Sequence, residues 1–190
     1  MNLLAHLHLG SELSPLAATG NFIADFCSDD GPEGFAKGIR YHWKIDGFTD
    51  SHPETLKARA LFGGKIRRFS GVLVDLAFDY LLARHWDSFA SLPREEFIDR
   101  EFARMSETHG KLTDQSADIL DRIKTEAWLE SYTTIPGLAH TLRRLAIRRP
   151  VAGPLVGAES LIREKDGELE KAFLRFYPLM EEKARGWRST

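Results

Sequence analysis

Apolar residues recur at intervals of three and four along almost the whole chain, and no stretch of useful length alternates apolar with polar residues as a half-buried strand would. The segment from about Lys65 to Phe89 shows the pattern most fully. Ile66, Phe69, Val72, Leu73, Leu76, Ala77, Tyr80 and Leu81 keep the spacing and predict one long helix. "SPLAATGNFIADFC" predicts another, with Ser14 placed to cap it and Pro15 at its first position. "GPEGFAKGIRYHWKIDGFTD" predicts a helix ending before Pro53, and a turn through Ser51 and His52 leads into "PETLKARALF". "LPREEFIDREFARMSETHG" ends at Gly110, "TDQSADILDRIKTEAWLESY" starts from a Thr113 cap, and "IPGLAHTLRRLAIRRP" stops at Pro150. With the helix-rich segment that closes the chain, usual helix lengths predict a single all-α domain over 1–190, of roughly seven to nine helices.

Composition narrows the setting. Hydrophobic residues make up 43% and charged residues 28% of the 190, which supports a packed core and argues against disorder. A net charge of -2 gives no global signal for nucleic acid or a membrane surface. The single cysteine, Cys27, excludes an internal disulfide and a thiolate zinc cluster. "MNLLAHLHLG" lacks the early basic residues and small-residue cleavage site of a signal peptide. No run approaches the roughly 18 apolar residues of a membrane span. A cytoplasmic location is the expectation; oligomeric state is left open.

Polar residues then break the apolar pattern. His42, Asp46 and Asp50 fall four apart in "GIRYHWKIDGFTDSHP", among Ile39, Ile45 and Phe48. Asp75 and Asp79 repeat the spacing in "SGVLVDLAFDYLLARHW", with His85 beyond them. Asp25 interrupts "NFIADF", and His6 and His8 interrupt the first segment. A carboxylate on an apolar face is costly unless something pairs it. Neighbours at i,i+4 share a face and, if both acidic, repel. A divalent cation resolves the repulsion, and oxygen-rich ligation with imidazole suits Mn²⁺, Mg²⁺ or Fe²⁺. The plainer reading is that such an aspartate caps a helix or pairs with a cation such as Arg40, Lys44, Arg67 or Arg84, with Asp50 capping the helix that follows it and His6 and His8 as core histidines. Recurrence favours a site: five aspartates and a histidine from three segments break the same rule.

Other chemistries lack their signatures. The chain has no Glu-x-x-His pair for a di-iron bundle, no His-Glu-x-x-His, no phosphate-cradling glycine loop and no Gly-x-Ser-x-Gly. Two basic clusters remain, Lys65, Arg67 and Arg68 in "KIRRF" and Arg143, Arg144, Arg148 and Arg149 in "TLRRLAIRRP". In a nearly neutral chain they are either solvated helix faces or a docking surface for an acidic protein or a phosphate-bearing ligand.

Taken together, "MNLLAHLHLG", "TGNFIADF", "GIRYHWKIDGFTDSHP", "RRFSGVLVDLAFDYLLARHW" and "AIRRP" resemble the acyl carrier protein phosphodiesterases, from Met1 to about Tyr177. That family resembles a divergent branch of the HD-type metal-dependent phosphohydrolases, so the resemblance implies an all-helical, HD-domain-like fold. It implies hydrolysis of the phosphodiester joining 4′-phosphopantetheine to a serine of holo acyl carrier protein, with Mn²⁺ as the expected metal and Mg²⁺, Co²⁺ or Fe²⁺ as substitutes. The motif positions carry Asp25, His42, Asp46, Asp50, Asp75 and Asp79, with His6 and His85 also matching. Asp25, His42, Asp46, Asp75 and Asp79 are the expected ligands. Asp50 is expected as a ligand or as the residue orienting His42, and His85 or His6 as the acid that protonates the departing serine oxygen. Arg67, Arg68, Arg144 and Arg148 are expected to dock the carrier protein.

Two departures stand out. Trp43 and Lys44 follow the motif histidine where the family often has two basic residues, and the adjacent His-Asp pair of HD enzymes is missing. The competing readings are an HD-like phosphohydrolase of a nucleotide or small phosphodiester, with Trp43, Phe48 and Trp86 as base-stacking candidates, and a non-catalytic helical module whose aspartates only pair with arginines.

Overall fold

The computed structural model describes residues 1–28 and 31–188. Among them there is no strand; ten α-helices are joined by turns and short 3₁₀ segments. The helices are α1 (Leu3–Leu9), α2 (Pro15–Ile23), α3 (Glu33–Ser51), α4 (Pro53–Ala60), α5 (Ser70–Arg84), α6 (Arg94–Ser106), α7 (Asp114–Thr125), α8 (Ile135–Arg148), α9 (Glu159–Glu164) and α10 (Asp166–Arg188). The all-α expectation holds. The helix number exceeds the seven to nine expected, partly because the closing segment divides at Lys165, where α9 ends before α10 begins.

The expected helix from Lys65 to Phe89 is shorter in the structure. Residues Gly64–Phe69 form a 3₁₀ turn, α5 runs only from Ser70 to Arg84, and a second 3₁₀ turn covers Trp86–Ser88. Gly64 enters the first turn with φ +61°, a left-handed conformation that suits glycine and interrupts helix continuation. That turn packs on the 3₁₀ segment Pro150–Leu155, so tertiary contact competes there with the helical pattern.

The shortest regular helix of the first half lies innermost. In α1, Leu3, Leu4, Ala5, His6, Leu7 and Leu9 are all buried, as expected of a helix that is apolar nearly all round. It packs against α2 and α5. Beyond it, α10 closes the core against α3, α4 and α5, bringing Phe173, Phe176 and Tyr177 onto Phe78 and Phe89. Phe78, Phe173 and Phe176 are fully buried, and each contributes about 1.5–3 kcal/mol.

The contact that positions the polar cluster is the crossing of α2 and α3. A Cβ on Gly38 would lie 2.0 Å from the Ala17 carbonyl oxygen, and one on Gly20 would lie 2.2 Å from that of Phe35. Only glycine lets the two backbones approach so closely. His42 is one turn beyond Gly38, and Asn21 is the residue after Gly20; the crossing sets them face to face.

Candidate metal centre

Asn21 organises two imidazoles at once. Its backbone carbonyl accepts a hydrogen bond from His42 Nδ1 at 2.9 Å. Its side-chain amide donates to the His6 carbonyl at 2.7 Å, which leaves Oδ1 to accept from His6 Nδ1 at 3.2 Å. The two rings stack with centroids 3.8 Å apart and planes inclined by 13°. With both Nδ1–H groups committed to Asn21, both Nε2 atoms face Asp46: His6 Nε2 lies 3.2 Å from Oδ1 and His42 Nε2 lies 3.0 Å from Oδ2. Asp25 approaches His42 Nε2 at 3.6 Å. His6 and His42 are buried, whereas the Asp25 side chain is 60% exposed and that of Asp46 is 35% exposed. The cluster therefore meets solvent on the side of its carboxylates.

This arrangement fits a divalent cation. An imidazole whose Nδ1–H is held by an oxygen presents a lone pair on Nε2, the usual orientation of a metal-binding histidine. Without a metal, a proton on His42 and the Met1 ammonium supply the positive charge beside Asp46, and a divalent cation would displace that proton. Ligand atoms of His6, His42 and Asp46 all lie within 4.8 Å of one another, close enough to share one ion. Burial and the adjacent His42 lower the pKa of His6, which keeps it neutral. At His42, burial works in the same direction but is outweighed by Asp25 and Asp46, which raise it to about 9. Burial pushes the Asp46 carboxyl toward its neutral form, but His6, His42 and the Met1 ammonium hold it well below the usual range. Burial also acts on Asp25, and His42 overrides it to keep that group a carboxylate.

Asp75 joins the cluster indirectly. The Met1 ammonium lies 3.1 Å from its Oδ1 and 3.3 Å from Asp46 Oδ1. Burial lowers the pKa of that amine, but Asp75 and Asp46 raise it to about 11, so it stays charged. Asp79, one turn along α5, is fully buried and is used by the backbone. Its Oδ2 accepts from Leu4 N at 2.7 Å, and its Oδ1 accepts from Asn2 N at 3.3 Å and Ala5 N at 3.2 Å. It thus satisfies amides at the start of α1, where a helix favours negative charge.

The remaining candidates lie in other networks. Asp50, exposed at the end of α3, pairs with Arg59, while His42 is oriented by Asn21. His85 pairs with Glu170 at 2.6 Å, and Arg84 joins Glu170 and Asp166 beside it. Arg40 pairs with Glu33. Lys65, Arg67 and Arg68 line a shallow surface concavity with Pro154. Arg144 pairs with Glu126 at 2.7 Å and stacks on Trp128, and Arg148 lies over Phe26. Sequence reasoning missed Asn21. The signal was present, since Asn21 is a polar residue among Phe22, Ile23 and Phe26, but an uncharged amide breaks an apolar pattern at less cost than a carboxylate.

Comparison with known proteins gives this geometry a family. A family model described as acyl carrier protein phosphodiesterase matches residues 1–180. A protein of that name from Pectobacterium atrosepticum is 33% identical, over 97% of this chain and 98% of its own length. Its namesake from Yersinia enterocolitica is 34% identical over 97% of each chain. That from Salmonella agona is 31% identical over 95% of each. No solved structure matches. With matches that run almost end to end and take in every residue of the His6–His42–Asp46 cluster, the chain belongs to the acyl carrier protein phosphodiesterase family.

Proposed function

We propose that this protein hydrolyses the phosphodiester between 4′-phosphopantetheine and the carrier-protein serine, releasing apo carrier protein in the cytoplasm. The observation that carries the reading is the convergence on Asp46 of two imidazoles, each held through Nδ1 by Asn21, open to solvent at Asp25, in a member of this family. His6, His42 and Asp46 hold a divalent cation, with Mn²⁺ first and Mg²⁺, Co²⁺ or Fe²⁺ as substitutes, and Asp25 and Asp75 stand beside it. When bound, that cation lowers the pKa of water and neutralises charge on the phosphoryl oxygens. Asn21 holds both rings in the ligating tautomer. Asp25 remains ionised at the mouth, placed to take a proton from the attacking water. The helical metal site is of HD type in this reading, with ligands recruited from α1 and α3 instead of an adjacent His-Asp pair.

The carrier protein docks along the seam where the 3₁₀ turns Gly64–Phe69 and Pro150–Leu155 meet. Lys65, Arg67 and Arg68 supply charge there, and the second turn continues directly from α8, which carries Arg144 and Arg148. Exposed Ile147 and Val151 on the same stretch offer apolar contact. Such a surface suits an acidic partner with an apolar ridge.

The reading is tested by incubating the protein with holo acyl carrier protein and Mn²⁺ and measuring intact mass. Conversion of the holo to the apo mass, abolished by a chelator, is expected. Persistence of the holo mass would overturn the assignment.

A further inference from the structure

The cluster is rich in carboxylates, with Asp25, Asp46, Asp75 and Asp79 near one another, and an anionic phosphodiester must approach them. The exposed side of the cluster is at Asp25, so the charge that offsets the repulsion should stand there. The next residue after Asp25 is Phe26, and the Arg148 guanidinium carbon lies 5.0 Å from the centre of its ring.

This placement is held from beneath. The Phe26 ring meets Trp128 edge-on at 5.6 Å. The Trp128 indole N–H donates to Glu126 at 2.8 Å, and Arg144 stacks on the other ring of this pair, 4.1 Å from the Trp128 centroid. Arg148, Phe26, Trp128 and Arg144 thus form a row of two contacting aromatic rings with a cation at each end. Its two cations differ. Arg144 is neutralised by Glu126. Among the described residues, no carboxylate lies within ion-pair distance of Arg148, which is exposed. Burial and Arg149 disfavour the charge on Arg148, and Asp25 favours it, as expected of neighbours in the same field.

We propose that Arg148, braced on Phe26 beside Asp25, grips the non-bridging oxygens of the scissile phosphodiester and steers the phosphorus toward the His6–His42–Asp46 cluster. The assignment rests on the phosphodiesterase reading and gives Arg148 a role in phosphate recognition in addition to surface docking. A guanidinium suits the task because its planar fork matches two phosphate oxygens. Stacking on an aromatic face leaves the outward N–H groups free to donate. Phe26 is a positioning residue that acts only through Arg148.

The test compares binding of 4′-phosphopantetheine and of pantetheine, which lacks the phosphate, by calorimetry in the presence of Mn²⁺. Wild type should prefer the phosphorylated compound. Arg148→Ala should weaken 4′-phosphopantetheine binding by ~10–100-fold, leave pantetheine unaffected, and so collapse the preference. Arg148→Lys, which keeps the charge and loses the fork, should recover part of it. Phe26→Leu should cost ~2–5-fold in the wild-type background and nothing further in Arg148→Ala. Arg163→Ala serves as the control for net charge. In turnover of holo carrier protein, Arg148→Ala should lower kcat/KM by ~10²-fold, with partial rescue by added guanidinium. An undiminished preference in Arg148→Ala, or no preference in wild type, overturns the proposal. Wild type that prefers 4′-phosphopantetheine but leaves holo carrier protein intact would instead overturn the phosphodiesterase reading and leave the phosphate site standing.

Discussion

At the start of α1 a buried carboxylate, Asp79, meets three backbone N–H groups. On α3, Asp46 meets two imidazole nitrogens whose partner N–H groups are already given to Asn21. Both aspartates break an apolar pattern, and they look alike in the sequence. The first is satisfied by the fold. The second meets a proton on His42 and the Met1 ammonium, positive charge that a bound metal ion could replace. The same contrast separates two histidines of α1. His8 is held by the Tyr177 hydroxyl at 2.8 Å and the Phe89 carbonyl at 3.2 Å, whereas His6 turns its free nitrogen to Asp46. The two aspartates therefore differ in their partners: fixed backbone amides for Asp79, and imidazoles whose proton a metal can displace for Asp46.

The largest effect is expected from removing a member of the His6–His42–Asp46 set. His42→Ala or Asp46→Ala should lower kcat on holo carrier protein by ~10³-fold or more, about 4 kcal/mol of transition-state stabilisation, and should abolish Mn²⁺ uptake. A variant that kept its rate would remove that residue from the centre.

Asp79→Asn should do the reverse. Its amide would direct a donor at the Leu4 or Ala5 N–H, leaving buried groups unpaired, so stability should fall by about 3 kcal/mol while Mn²⁺ content is retained. Loss of metal without loss of stability would place Asp79 among the ligands instead.

His8 sharpens the comparison through pH. Burial lowers its pKa to about 4, with the Phe89 carbonyl opposing. The unfolded chain takes up this proton near the ordinary 6.5 and the folded protein only near 4. The stabilisation is therefore fully present above about pH 6.5, is lost as pH falls toward 4, and amounts to about 3 kcal/mol. Urea midpoints of wild type should drop through this window more steeply than those of His8→Gln; parallel curves would mean that His8 is not held neutral.

Asn21→Ala should weaken Mn²⁺ binding by ~10–100-fold through loss of its side-chain bonds to α1, although Ala supplies the same backbone carbonyl to His42. Unchanged affinity would show that the His6 tautomer is set elsewhere. The smallest effect concerns the docking seam. Reversal of Arg67 and Arg68 to Glu should raise KM for holo carrier protein and flatten its salt dependence; equal losses on a small phosphodiester would assign these arginines to the fold or the chemistry.

Helix content could be read from the sequence because three-and-four spacing is local, as could the Thr113 cap and Pro15 at the first position of α2, although Ser14 before it makes no side-chain capping bond. The shortening of α5 could not, because it follows from the packing of Gly64–Phe69 on a segment more than eighty residues away. His6, Asp25, His42 and Asp46 were recognisable as rule-breaking residues and do converge. Asp50, Asp79 and His85 broke the same rule, but their partners are Arg59, the α1 amides and Glu170. No spacing within one helix reveals which partner a buried acid will meet. The close crossing at Gly20 and Gly38, which aligns Asn21 with His42, was equally hidden, since a glycine that permits contact looks in sequence like one that merely interrupts a helix.

The His6–His42–Asp46 cluster is proposed as a divalent-cation site. It is tested most directly by metal analysis of wild type, His42→Ala and Asp79→Asn after Mn²⁺ loading and desalting. The expected result is bound Mn²⁺ in wild type and Asp79→Asn and its loss in His42→Ala. Retention of the metal by His42→Ala, or wild type that takes up none, would contradict the account.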